Sequence, residues 1–351
     1  MRFAFTDEQL ELQRVVRELL ARECPPSRVR AAWDGPADAA LTVWPHLVSI
    51  GVAGMTAPER FGGLGMDELD LALVLEEAGR AALPEPLIEH TAVALPLVAE
   101  TCDDAFCDRW LGAAASGKAV LTVGLAEAPF VVDAARARLL LLERDGELHA
   151  VEPRAVTLTA EPSIDGARKL ARVDWRPTTA TCVASGAGAR TALAMAFDRG
   201  AFATAAQLVG VARKLVDMTV EYVKLRQQFG RAVGSFQAVK HMLAEAHVAT
   251  ELARPCVHRA AYALARREPD RAVHVSMAKA YASDAATRAA RAALQCHGAI
   301  GYSFEYDLHL WMKRAWVHAA AYGDAAWHRA RIASAVLDGA PVEGAARVRS
   351  D

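Results

Sequence analysis

Apolar residues recur at three- and four-residue steps along much of this chain. Val209, Ala212, Leu215, Val216, Thr219, Val220 and Val223 form one such stripe, which predicts a helix burying a single face. Gly230 and Gly234 are expected to stop that helix and open a turn. Ser235 is expected to N-cap the next helix, running from Phe236 toward Ala265 with a kink at Pro255. A third, alanine-rich helix is predicted between Ala272 and Leu294, with Val275, Met277, Ala278, Tyr281, Ala282 and Ala285 on its faces. Near the start, Thr6 and Gln9 have capping-box spacing ahead of Leu10, Val15, Val16, Leu19 and Leu20. The pattern changes in the middle of the chain. Leu139–Leu142 and His149–Val151 flank Arg144-Asp145-Gly146-Glu147, which predicts a β-hairpin. The chain therefore reads as mostly α with a small β domain.

Length and charge narrow the possibilities. The 351 residues suffice for two or three domains, each with its own core. A net charge of −2 makes no broad electrostatic case for nucleic acid or an anionic membrane. No window has the ~20 uncharged apolar residues of a membrane span. The N-terminus is amphipathic and acidic rather than signal-like, so a cytoplasmic location is expected. Cys24, Cys102, Cys107, Cys182, Cys256 and Cys296 lack paired C-x-x-C spacing and read as free thiols. His241, His247, His258 and His274 share no ligand spacing with a carboxylate or cysteine, and Cys102 and Cys107 beside Asp103-Asp104 read as helix residues. No metal site is expected. P-loop, nucleophile-elbow and dinucleotide fingerprints are absent. From Gly339 onward a fraying tail is expected.

Candidate chemistry lies in the second half. Arg226-Gln227-Gln228-Phe229-Gly230 is followed by Ser235-Phe236-Gln237. This places Arg226 at a helix end and Gln237 in the first turn of the next helix. A guanidinium fork beside a helix N-terminus suits a pyrophosphate. Phe229 is placed either on an adenine or ribose face or in the core, and Arg226 could equally be a solvated helix-end cation. Farther on, Gln295 offers an amide that both donates and accepts, and Gly298 and Gly301 allow close approach to bare backbone. Alone, those two glycines indicate only a helix stop and a tight turn.

The two motifs in this order on one helical bundle, R-x-x-F-G…F-Q and Gln295-Cys296-His297-Gly298-Ala299-Ile300-Gly301-Tyr302, resemble the acyl-CoA dehydrogenases, flavoenzymes that desaturate acyl-CoA thioesters. Trp44…Gly51-Val52-Ala53-Gly54, Pro58–Gly65, Val74–Arg80 and Leu83-Pro84-Glu85-Pro86 extend the resemblance over nearly the whole chain. It implies an N-terminal helical domain (1–117), a shortened middle β domain (118–187) and a C-terminal four-helix bundle (188–351), with FAD at a subunit interface. Arg226, Phe229, Gln237, Gln295, Gly298 and Gly301 would reach the ADP half of a FAD held mainly by the neighbouring subunit. Ala299 replaces the family's second glycine.

Two departures stand out. The family removes the substrate α-proton with a glutamate while the β-hydride goes to the flavin. Aligned from Gly301, Tyr322 occupies that glutamate's seat, with Gly323 and Arg329 on the family's glycine and arginine. A minority of relatives carry the base on the long helix, and the residue there is Gly200. Neither is a carboxylate, and a phenol with a pKa of ~10 stays neutral at pH 7. Asp198 and Asp324, each two residues from one of these seats, are the near misses for a base. In the middle region Val120–Pro129 lacks the family's Thr-Glu-Pro…Gly-Ser-Asp loop, no tryptophan occurs between Trp110 and Trp175, and only Ser163–Arg168 resembles the family's later Asp-x-x-Arg strand. The retained residues would serve a neighbour's FAD, and the lost ones the chain's own. The resemblance thus implies a base-lacking subunit, as in α2β2 acyl-CoA dehydrogenases, several of which act on CoA thioesters of steroid side chains. Its partners would be an acyl-CoA, a second acyl-CoA dehydrogenase-like subunit, and an electron-transfer flavoprotein or similar acceptor. Two other readings stay open: a stand-alone flavoenzyme with Tyr322 in its site, and a non-catalytic scaffold that kept the bundle for oligomerisation.

Overall fold

The computed structural model describes residues 4–126 and 128–337, so the tail expected from Gly339 lies outside the described residues. Helix α1 (Asp7–Glu23) opens on the expected capping box: Gln9 N donates to Thr6 Oγ1, and Thr6 N to Gln9 Oε1. Helices α2 (Pro26–Asp34), α3 (Trp44–Ser49) and α4 (Glu68–Arg80) follow. A π-helical segment, Leu87–Ala94, then leads into α5 (Leu95–Thr101) and α6 (Asp104–Ala115).

The β layer comprises β1 (Leu121–Gly124), β2 (Val131–Val132), β3 (Leu139–Arg144), β4 (Glu147–Val151), β5 (Thr157–Glu161), β6 (Leu170–Asp174) and β7 (Cys182–Ala184). They form a sheet of order β1-β3-β4-β7, in which only β1 and β3 run parallel, and an antiparallel sheet β2-β6-β5. The expected hairpin is β3–β4. Its two-residue turn is Asp145-Gly146, both left-handed (φ 55° and 78°), as a primed turn requires. Side chains alternate across a strand. Leu139 and Leu141 therefore join the large helical core, while Leu140 and Leu142 join a small core between the sheets with Val131, Val151 and Ala171. This explains why four leucines in a row are all buried.

Helix α7 (Gly186–Leu225) is the spine of the C-terminal bundle. It stops at Arg226 (ψ 123°), before either glycine expected to stop it. The chain instead makes a small hairpin, β8 (Gln227–Gln228) and β9 (Arg231–Ala232), turning at Phe229 and Gly230 (φ 52° and 78°). Ser235 is not the N-cap of the next helix. It closes a 3₁₀ turn, Val233–Ser235, and Phe236 occupies the cap position with no side-chain hydrogen bond. Helix α8 (Gln237–Ala265) runs unbroken through Pro255, which has no N–H for the carbonyl of Glu251. Helix α9 (Arg271–His297) ends where Gly298 turns left-handed (φ 64°), followed by α10 (Leu308–Ala320) and α11 (Ala325–Leu337). No described helix is long and apolar enough to cross a membrane.

Helix α4 joins the N-terminal helices to the bundle by backbone contact. A Cβ at Gly79 would lie 2.0 Å from Gln207 O, and one at Gly210 would lie 1.9 Å from Glu76 O. Around this crossing Glu76 binds Arg254 and His258 of α8, and Glu77 binds Arg17 and Gln13 of α1. With Glu68 accepting from Arg199 of α7, the charge buried on α4 is paired across helices.

Candidate functional site

The two positions expected as seats for the family's base adjoin in the fold. Gly200 lies on α7 and Tyr322 in the α10–α11 turn, and a Cβ at Gly200 would sit 2.1 Å from Tyr322 Cε1. The ring fills the volume that a side chain at residue 200 would need. Tyr322 takes a left-handed backbone (φ 52°), which is strained for an aromatic residue. Burial, reinforced by Glu89, pushes its phenol far above the ordinary value, so it is neutral at physiological pH.

Two side chains that the motifs do not mark hold this turn in place. Lys279 is fully buried, and its Nζ donates to Ala319 O (2.9 Å), Gly323 O (2.9 Å) and Ser283 Oγ (3.2 Å). Burial lowers its pKa to about 7, with Asp324 opposing. His328 Nε2–H donates to Tyr322 O (2.8 Å), and its Nδ1 accepts from Ser276 Oγ (3.1 Å). Burial chiefly lowers the His328 pKa to about 3, which keeps that ring neutral. The signal for Lys279 was present in the sequence as a lysine in register with Val275, Ala278 and Ala282 on a buried helix stripe.

The nearby acids are occupied. Asp198 accepts from Arg331 at 2.6 Å; burial raises its pKa, and Arg331 opposes the shift. Asp324 is exposed, and its Oδ1 accepts from Trp327 N, capping α11. Arg199, beside Gly200, is saturated by Glu68 and Glu100. These contacts give Asp198 and Asp324 structural roles.

The shortened β layer still leaves a cleft of about 460 Å³ against α10. Leu125, Phe130, Ile164, Phe197 and Trp316 line it, with Tyr322 at one wall. Arg168 is the one charged group among its described lining residues. Behind Arg168 lie Glu89 at 3.4 Å and His318 Nδ1 at 3.5 Å, and His318 Nε2 faces Gln207 Oε1 at 3.1 Å. Burial and the neighbouring Arg168 hold His318 neutral.

Of the residues expected at a nucleotide, Arg226 and Phe229 lie just past the C-terminal end of α7. Arg226 is the exposed C-cap of α7 and lines a cleft of about 660 Å³ with Lys214, Tyr222 and Tyr306. Gln237 is exposed at the first position of α8. Phe229 is 90% exposed and meets Phe236 edge-on at 6.1 Å, so it is not a core residue. Gln295 is exposed in a different groove, of about 1000 Å³, beside Arg291, Arg329 and Trp316. Gly298 has open space where a Cβ would be, while Gly301 is buried with Leu294 and His297 close by. The two motifs meet through Tyr222, which stacks on His297 at 4.2 Å and reaches His297 O. Within one chain, then, Arg226 and Gln295 line separate clefts. The side chains of Arg226, Gln237 and Gln295 make no hydrogen bond or ion pair among the described residues, so these donors are open to an anionic ligand such as a nucleotide.

Comparison with known proteins agrees with this architecture. Residues 6–118 match the acyl-CoA dehydrogenase N-terminal domain and residues 186–337 its C-terminal domain. The acyl-CoA dehydrogenase IpdE2 of Mycobacterium tuberculosis is 33% identical over 312 residues, covering 88% of this chain and 91% of that protein. The solved Tcur3481-Tcur3483 steroid ACAD (G363A variant) is 25% identical, with a TM-score of 0.86 over 95% of this chain and 98% of the other. The ChsE4-ChsE5 complex from M. tuberculosis shares the fold, with a TM-score of 0.86 at 24% identity over 96% of this chain and 99% of the other. The chain belongs to the acyl-CoA dehydrogenase family, whose members are FAD-binding flavoproteins.

Proposed function

We propose that this chain is the base-lacking subunit of a hetero-oligomeric, FAD-dependent acyl-CoA dehydrogenase, divided into domains at 117/118 and 187/188. The observation that carries the reading is the Gly200–Tyr322 contact. Both seats for a catalytic glutamate converge on one volume, and a neutral aromatic ring fills it. The chain would complete the FAD site of a partner that carries the glutamate. Arg226 would bind the diphosphate, Gln237 and Gln295 would donate to the nucleotide, Phe229 would cover its adenosine face, and Gly298 and Gly301 would let it approach the backbone. Bound flavin would supply the hydride acceptor. Phe229 supports this role, because it combines an exposed ring with a left-handed backbone (φ 52°), two unfavourable features that a covering ligand would offset in part. The two-chain name of the steroid ACAD to which this chain is 25% identical supports a heteromer and a steroid-type thioester. An electron-transfer flavoprotein or similar protein would take the electrons.

Co-expression with an acyl-CoA dehydrogenase-like partner tests this. Flavin should be retained only when both chains are present, at one FAD per heterodimer. Stoichiometric flavin in the chain purified alone, reduced by an acyl-CoA, would overturn the proposal and favour a stand-alone enzyme using the 460 Å³ cleft.

A further inference from the structure

Three ligating side chains far apart in the proposed chemistry meet on the first sheet. His149 of β4 lies opposite Cys182 of β7, at a bulge that shifts the pairing after Leu148–Ala184. Glu147, two residues before His149, projects to the same face of β4. A carboxylate oxygen of Glu147, a ring nitrogen of His149 and Cys182 Sγ all lie within 4.8 Å of one another. Sequence spacing does not show this set, because strand pairing brings Cys182 to it.

The Thr181 hydroxyl lies 2.9 Å from Thr178 O and 3.0 Å from His149 Nδ1. With its proton on Thr178 O, it accepts from Nδ1–H, and His149 Nε2 then presents a lone pair. His149 is 1% exposed, and its Nε2 has no hydrogen-bond partner among the described residues. It faces Glu147 Oε2 at 3.5 Å. A buried lone pair opposite a carboxylate is repulsive unless a cation lies between them. Trp175 packs against the imidazole at 5.1 Å.

We propose that Glu147, His149 and Cys182 bind a divalent metal of the zinc class, with a fourth position open to water. One oxygen, one nitrogen and one sulfur make a donor set that suits Zn(II), and the hydrogen bond from Nδ1 to Thr181 is the outer-shell support that such a histidine uses. Metal–ligand distances of ~2.0–2.3 Å place tetrahedral ligand atoms about 3.3–3.8 Å apart. The Nε2–Oε2 pair already has that separation. Because β7 ends at Ala184 and α7 begins at Gly186, the metal would staple β4 to the strand that leads into the bundle's spine.

Cobalt(II) titration of the full chain after chelator treatment tests the site. One Co(II) per chain is expected, with a thiolate-to-cobalt charge-transfer band and four-coordinate visible bands, all displaced by Zn(II). Cys182→Ser should abolish the charge-transfer band, and Glu147→Gln should weaken Co(II) binding by about tenfold or more. Both side chains are partly exposed, so circular dichroism should report a native fold in these variants. His149→Gln should also lose binding, but the buried position makes it the secondary test. Three results would overturn the proposal: no charge-transfer band, a band that persists in Cys182→Ser, or nitrogen NMR showing His149 protonated at both nitrogens and indifferent to Zn(II). The last would mean that a proton alone bridges His149 and Glu147.

Discussion

The ring of Tyr322 occupies the space that a side chain at Gly200 would need: a Cβ there would lie 2.1 Å from Cε1 and 2.5 Å from Cζ. Two positions more than a hundred residues apart thus share one volume, and only one of them can carry a large side chain.

Gly200→Ala should destabilise the chain by about 1–3 kcal/mol, because the methyl must displace a ring whose backbone is held by Lys279 and His328. Tyr322→Ala should cost stability by leaving a cavity, yet it should remove most of the Gly200→Ala penalty. Urea denaturation of the two single variants and the double variant, read as a mutant cycle, should show coupling of about 1 kcal/mol or more. Additive effects would mean that the contact does not form.

Tyr322→Phe should leave the turnover of the reconstituted complex within about twofold, since a neutral phenol moves no proton. Removing a true base costs about 10²–10⁴-fold. Steady-state kinetics with an acyl-CoA and an artificial electron acceptor distinguish the two outcomes.

Arg226→Ala should weaken FAD binding by the complex by about 2–4 kcal/mol, the loss of two charge-assisted hydrogen bonds. Fluorescence titration of the flavin-stripped complex measures it. The fold should be untouched, because the guanidinium has no partner among the described residues.

Stability should fall as the pH drops below about 6.5. His328 and His90 have folded pKa values lowered by burial to about 3 and about 4, and His318 is lowered well below its ordinary value. Between those values and 6.5 the unfolded chain binds protons that the folded chain refuses. The unfolding free energy therefore rises with pH across this window, by at most about 1.4 kcal/mol per pH unit for each histidine. His328→Asn should flatten the slope, as read from urea midpoints between pH 7 and pH 5.

Gly79→Ala and Gly210→Ala should each cost about 1–3 kcal/mol or more, since a methyl at either would drive α4 off α7. Thermal melts report the loss. A variant within experimental error of the parent would mean that the two helices are farther apart than their backbone contacts place them.

Much of the architecture was legible in residue order. The capping box at Thr6, the Asp145-Gly146 hairpin and the stripes of α7 and α9 all rest on local rules of period and turn chemistry, which act between residues a few positions apart. The same local reading placed Arg226 at a helix end and Gln237 in the first turn of the next helix. Local rules failed where two acceptable signals competed. Gly230 and Gly234 looked like a helix stop, but Gly230 serves the turn of a small hairpin. Ser235 looked like a cap, but the 3₁₀ turn at Val233 moved the helix start past it.

What residue order determined was the family, the mixture of helix and sheet, and that Gly200 and Tyr322, the two positions expected as base seats, are not carboxylates. Tertiary structure alone decided that those seats coincide, that Asp198 and Asp324 are already engaged, that Lys279 and His328 grip the turn carrying Tyr322, and that His149 faces Cys182. Each of these is a contact between elements distant in sequence. Such contacts depend on how close two backbones come and which rotamers then fit, and the period of a single segment carries no information about either.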